Sequence, residues 1–131
     1  MTRVVVEREQ YRMSIDSRNN RVLFEAWGDI VEPELFKHFA DDWRKTCSQM
    51  NPGFTVIGDY TQVGAHFLKD EFSRGMKVIS DAGVKKVAVF WGKRILGRYT
   101  TEQAAAAASD EYAAKRKSFV SRAEAEAWLD G

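Results

Sequence analysis

Short apolar runs alternate with amphipathic segments along most of this chain, and that alternation constrains the fold more than any other feature. The runs at 54–60 and 86–91 have the length and composition of strands that are buried on both faces. The segments at 33–50 and 69–82 place apolar residues on one helical face, as amphipathic helices do, and a further helix is expected over 100–114. Strands that alternate with helices form a largely parallel sheet, because each helix carries the chain back to the starting edge.

An antiparallel hairpin is predicted ahead of this alternation. Apolar and polar residues alternate over 11–15, and a second strand is expected over 22–27, with Gly28 at its end. The two asparagines at 19–20 tolerate the backbone conformation of a tight turn. The second strand is apolar on both faces, so we expect it to lie inside the sheet.

Capping patterns predict the starts of the last two helices. Thr100 with Gln103 and Ser121 with Glu124 both have the spacing of a capping box. A short strand is expected between these helices at 117–120. The predicted order of elements is therefore β-β-α-β-α-β-α-β-α, an α/β fold with a mixed, mostly parallel sheet and an N-terminal antiparallel hairpin.

Composition narrows the functional class. The chain has 131 residues, which suits a single domain over 1–131. Its 20 Lys and Arg against 19 Asp and Glu give a net charge of +1, which argues against a nucleic-acid partner. The single cysteine, Cys47, cannot close an internal disulfide, and no apolar run is long enough for a signal peptide or a transmembrane segment. We therefore expect a cytoplasmic protein.

Three segments resemble the STAS superfamily (sulfate transporter and anti-sigma antagonist), above all its bacterial stand-alone members, which are often grouped with CRAL-TRIO-type lipid-binding domains. The segments are LFEAWGDI at 23–30, VIGDYTQV at 56–63 and RKSFVSRAEAEAWL at 116–129. The resemblance implies a SpoIIAA-like fold and a non-enzymatic protein-interaction or regulatory module without a cofactor. Its expected partner is another protein or a second copy of the chain, as a homodimer.

One family feature is missing. Classical anti-sigma antagonists carry a phosphorylated serine in an Asp-Ser-x-Gly motif. Here Ser73 stands in Phe-Ser-Arg-Gly, without the preceding aspartate. The phosphorylation switch is therefore not carried over to this chain.

Candidate binding residues follow from the predicted topology, because ligands of open α/β sheets bind beyond the carboxyl ends of the parallel strands. The loop predicted at 61–68 contributes to this edge. The candidate ligand- or partner-binding residues are Asp29, Asp59, Tyr60, Thr61, His66, Trp91, Lys93 and Arg94. For several of them a structural role remains open: Asp59 as a cap for backbone amides, Trp91 as part of the core.

Two alternative functions remain open. A lipid or another small apolar or anionic ligand could bind at the strand ends, in a pocket formed by Phe67, Leu68 and Phe72 beside His66. A small hydrolase or transferase could instead use Asp59, His66 and Lys93.

The sequence offers little support for metal or nucleophile chemistry. His38, His66 and Cys47 do not have the spacing of a metal site, and there is no phosphate-binding glycine loop or nucleophile motif. No catalytic residue, metal or cofactor is predicted.

Overall fold

The structure, a computed structural model, describes residues 2–131. Six strands form one sheet whose spatial order is the order along the chain. The strands are β1 Thr2–Glu7, β2 Tyr11–Asp16, β3 Arg21–Ile30, β4 Thr55–His66, β5 Lys86–Phe90 and β6 Arg116–Phe119. The helices are a 3-10 turn at Pro33–Phe36, α1 Phe39–Cys47, α2 Lys69–Asp81, α3 Arg98–Ala108, α4 Asp110–Lys115 and α5 Arg122–Asp130.

Both pairing modes of the predicted sheet are present. β2 pairs with β1 and with β3 in antiparallel fashion, whereas β3, β4, β5 and β6 are parallel. Asn20, with φ 50°, lies in the turn between β2 and β3. The α/β fold with an N-terminal antiparallel hairpin is confirmed, and β3 lies inside the sheet as its apolar faces predict.

Helices cover the two faces of the sheet unequally. The larger core lies on the side of α1–α4, and its centre is a group of aromatic rings: Tyr11, Phe24, Phe36, Phe39, Trp43 and Phe72. On the other side α5 alone covers a smaller cluster, which includes Ile57, Phe90 and Leu129. The parallel strands end between these two layers of helices, and the loops that follow the strands begin there.

The N-terminal strand β1 was not predicted. Val4, Val5 and Val6 form a short apolar run, but only Val6 is buried and Val4 is 52% exposed. β1 lies at the edge of the sheet and pairs only with β2. Because an edge strand has a neighbouring strand on one side only, burial leaves no clear pattern in its sequence. The formation of β1 therefore depends on pairing with β2 rather than on a local signal.

Two strand ends differ from the prediction. Gly28 does not end β3; it has φ 78°, next to a change in register, and the strand continues to Ile30. The predicted loop at 61–68 is also wrong, because β4 runs on to His66 along the extended part of β3. An irregular pairing therefore lengthens both strands beyond their apolar runs.

The helix boundaries are partly as predicted. Ser121 and Glu124 form the expected capping box of α5, and Gly83 follows α2 with φ 85°. Thr100 does not cap a helix, since α3 begins at Arg98, and the expected single helix is split at Ser109, whose side chain accepts a hydrogen bond from the first turn of α4. Within residues 2–131 no helix is both long and apolar enough to cross a bilayer.

Candidate functional site

β3 and β4 end side by side. Ile30 lies opposite His66 in the register, and the Phe67 amide donates to the Ile30 carbonyl at 3.0 Å. The Asp29 carboxylate accepts a hydrogen bond from the Ala65 amide at 2.9 Å. The residue before Ala65 is Gly64, and a Cβ at that position would collide with the Asp29 carboxylate. These contacts hold the residues that follow each strand at one edge of the sheet.

The loop between β5 and α3 closes over the end of β4. At its start, the amides of Trp91 and Gly92 donate to β6 and to the residue after it. At its other end Gly97 is buried against β4: a Cβ there would lie 2.9 Å from the Gly64 carbonyl and 3.1 Å from the Cβ of His66. The loop therefore crosses from β5 to β4 and rests on the strand end.

Helix α3 holds this loop from behind. Glu102 accepts hydrogen bonds from Arg116 at 2.9 Å and from Ser118 at 2.5 Å, both on β6. The Arg116 side chain is only 3% exposed. The Glu102 side chain is 43% exposed, and its bonds to a buried guanidinium and a hydroxyl connect α3 to the sheet.

Large apolar side chains project from this edge into solvent. Phe67 and Ile95 are each 75% exposed, Leu96 72%, Tyr99 71% and Val31 42%. We call these five residues the rim patch. Isolated exposed apolar residues are common, but a group of them at one strand edge is typical of an interaction surface.

The charges beside the rim patch differ in sign from one side to the other. Asp29 and Glu32 are exposed at the end of β3, whereas Lys93 and Arg94 are exposed in the loop after β5. Among the described residues, the side chains of Glu32, Lys93 and Arg94 form no ion pair or hydrogen bond. Because β4 lies between β3 and β5, acidic, apolar and basic groups follow one another across the rim.

His66 lies in the core rather than in a loop. Its side chain is 2% exposed, its ring is 4.3 Å from that of Phe72, and its Nδ1 accepts a hydrogen bond from the Leu68 amide at 3.2 Å. Its Nε2 is buried without a partner among residues 2–131. Burial lowers the pKa of His66 to about 4, so the ring is neutral at pH 7 and enclosed by apolar groups.

This burial predicts that stability depends on pH. The pKa of His66 is about 4 in the folded chain against 6.5 as the reference value, so its contribution is complete above pH 6.5 and is lost as the pH falls towards 4. The loss reaches about 3 kcal/mol, because the unfolded chain binds a proton that the folded chain does not. Urea unfolding between pH 7 and 4 should show a flatter profile for His66→Gln than for the wild type; parallel profiles would contradict the prediction.

Tyr60 and Trp91 are also core residues. Their rings stack with centroids 4.6 Å apart, and they are 4% and 1% exposed. Burial raises the pKa of the Tyr60 hydroxyl well above its usual range. Neither ring is available to a partner at the surface, which favours the structural alternative for Trp91.

Asp59 and Thr61 lie on the opposite face of β4 from Tyr60. Asp59 shares the face of Ile57, on the α5 side, and its Oδ1 accepts hydrogen bonds from the Thr61 amide at 2.9 Å and from the Thr61 hydroxyl at 2.6 Å. This is the local backbone bonding that the structural alternative for Asp59 describes. The strand continues seven residues beyond Asp59, so this carboxylate is not at the strand end.

The predicted site residues therefore divide into three groups. Asp29, Lys93 and Arg94 are exposed at the rim, Asp59 and Thr61 lie on the α5 face, and the remaining three are buried on the α1–α4 side. Asp59 and His66, two members of the hypothetical hydrolase site, thus lie on opposite sides of the sheet. No group of three His, Cys, Asp or Glu side chains within 2–131 is placed to hold a metal ion.

The pocket expected beside His66 is filled. Leu68 and Phe72 are 5% and 0% exposed, and Phe72 stacks on Phe39 with centroids 4.5 Å apart. A groove of about 830 Å³ lies elsewhere, on the outer side of the helices. Its lining comes from α1, α2 and the last residues of α3 and includes Cys47, whose thiol pKa is raised by burial to about 12.

Sequence reasoning missed most of the rim patch. Ile95, Leu96 and Tyr99 follow no helical or strand periodicity, and they lie between the strand predicted at 86–91 and the helix predicted from residue 100. That absence of periodicity was the available signal, since apolar residues outside any regular element have no predicted place in a core. The contact of Gly97 with Gly64 and His66 brings the loop that carries Ile95 and Leu96 to the end of β4, which Phe67 follows.

Comparison with known proteins gives one informative likeness. No protein-family model and no curated protein matches the chain. A solved structure from Shewanella loihica, described as an uncharacterized protein from the DUF3478 family with a SpoIIAA-like fold, is similar with a TM-score of 0.54 and 15% identity. The alignment covers 98% of this chain and 92% of the other. The chain therefore has a SpoIIAA-like fold, as its resemblance to STAS domains predicts.

Proposed function

We propose that this chain is a non-enzymatic STAS-like interaction module that binds its partner through the rim patch. The observation that supports the proposal is the exposure of Phe67, Ile95, Leu96 and Tyr99, each above 70%, on a firmly held loop and strand end. The polar groups suited to chemistry are not free at this end: His66 is buried, and Asp59 lies on the α5 face, bonded to the Thr61 backbone. Apolar groups flanked by acidic and basic ones face the solvent instead, which suits recognition of a protein: another protein or a second copy of the chain.

A photocrosslinking experiment tests this proposal. The substitution Leu96→p-benzoylphenylalanine places a reactive ketone in the rim patch. Val4→p-benzoylphenylalanine is the matched control, because Val4 is 52% exposed on the edge strand β1, away from the rim patch. On irradiation in the cells that make the protein, position 96 should give discrete protein adducts and position 4 only background. Equal yields at the two positions would refute the rim patch as the binding surface.

A second candidate function is binding of a lipid or a similar amphiphile. The helical groove favours it, since Met50 and Val78 supply apolar lining beside Arg44, Arg74 and Lys77. Each of these three cations pairs with a carboxylate on its own helix. The volume of about 830 Å³ is in the range of small-molecule sites. Native mass spectra of the wild-type chain purified for the crosslinking experiment would show a retained molecule that denaturation releases.

A further inference from the structure

The charge order across the rim is complementary to itself. Reading along the sheet, the acidic side chains follow β3, Phe67 follows β4, and the basic ones follow β5. A two-fold axis that runs normal to the sheet and passes through the rim near Phe67 exchanges the β3 end with the β5 end. It therefore sets the basic side of one copy against the acidic side of the other, while the apolar centres meet.

We infer that the partner of the rim patch is a second copy of this chain, bound about that two-fold axis. The inference rests on the proposed function, since it uses the same surface. Lys93 and Arg94 of each copy face Glu32 and Asp29 of the other, so groups that lack an ion-pair partner within a single chain acquire one. Phe67 and Leu96 form the apolar centre.

Other occupants satisfy only half of this surface. An anionic bilayer or an acidic protein attracts Lys93 and Arg94 but repels Asp29 and Glu32 at the other side of Phe67. A basic partner has the reverse problem. A rotated copy neutralises both sides at once, whereas like charges that face each other across an interface cost several kcal/mol.

The exposed apolar area is sufficient for a modest dimer. A large aromatic side chain buries roughly 150–250 Å² in full, so Phe67 and Tyr99, each exposed by more than 70%, offer about 300 Å² per copy. Two copies thus reach about 600 Å² from the aromatic rings, and Ile95, Leu96 and the charged margin add to this towards the roughly 1,000 Å² that a specific interface needs.

Charge reversal tests the inference on the full chain by sedimentation velocity. Arg94→Glu and Glu32→Arg each place like charges opposite one another twice in a symmetric dimer, so each variant alone should dimerise at least about tenfold more weakly than the wild type. Mixed in equal amounts, the two variants should form a heterodimer as tight as the wild-type dimer, because both contacts then join opposite charges. Because Arg94 and Glu32 are exposed, both variants should fold as the wild type does, and circular dichroism of each variant checks this.

Several results would overturn the inference. A wild-type chain that stays monomeric, or single variants that dimerise as it does, would exclude this dimer, and so would a mixture that fails to associate. Binding of a monomeric wild-type chain to phosphatidylserine vesicles would assign the surface to a membrane instead. Crosslinked adducts at position 96 that contain other proteins and never a doubled chain would overturn the second copy as partner but retain the rim patch as an interaction surface.

Discussion

Phe72→Ala should lower the free energy of unfolding by about 4 kcal/mol, the range measured when a buried phenylalanine is truncated. Phe72 is fully buried and stacks on Phe39 at 4.5 Å between ring centroids. It also touches the ring of His66 at 4.3 Å. Its removal leaves a cavity between α1, α2 and the sheet that surrounding rings cannot fill without moving. Urea denaturation at pH 7 measures the loss.

Phe67→Ala is the matched control for Phe72→Ala. The same side chain is removed five residues earlier, but Phe67 is 75% exposed, so the free energy of unfolding should change by less than about 0.5 kcal/mol. Association of the chain with itself should weaken in this variant, because Phe67 lies at the centre of the rim patch. A large loss of stability in Phe67→Ala would mean that this side chain is part of the core and would contradict its assignment to the binding surface.

Asp42→Ala should destabilise the chain by about 3 kcal/mol, because it removes the acceptor of a buried, charged hydrogen-bond group. Asp42, on α1, is 5% exposed and accepts two hydrogen bonds from Arg8, at 3.0 and 2.9 Å. It also accepts one from the hydroxyl of Tyr11, a fully buried residue of β2. The variant leaves that hydroxyl buried without its partner, and α1 loses its charged link to Arg8.

Two further variants make the Asp42 prediction specific. Asp41→Ala removes the adjacent carboxylate, which is exposed and paired only with Arg44, and should change stability by less than about 0.5 kcal/mol. Tyr11→Phe combined with Asp42→Ala should cost less than the sum of the two single changes, since Tyr11→Phe removes the orphaned hydroxyl. If the losses of unfolding free energy were additive in this double-mutant cycle, the Tyr11–Asp42 hydrogen bond would contribute no interaction energy to stability.

Local patterns determined most of the regular elements. The alternation at 11–15 and the apolar runs at 54–60 and 86–91 predict strands because burial on one or both faces leaves a period in the sequence itself. The stop at Gly83 and the capping box of Ser121 with Glu124 are likewise local, since the bonds that they make lie within a few residues. Their order sufficed for the α/β class and for the resemblance to STAS domains.

Only the tertiary structure determined how the strands pair at the ends and edges of the sheet, and this pairing creates the candidate site. β1 forms because β2 offers a free edge, and β4 continues to His66 because β3 runs beside it beyond the bulge at Gly28. Because of that extension, the His66 side chain lies in the core and the Phe67 side chain lies in solvent. The rim patch requires three strand ends and a crossing loop to meet. Contacts between residues that are far apart in the chain leave no period in the sequence, so no local pattern could predict the patch.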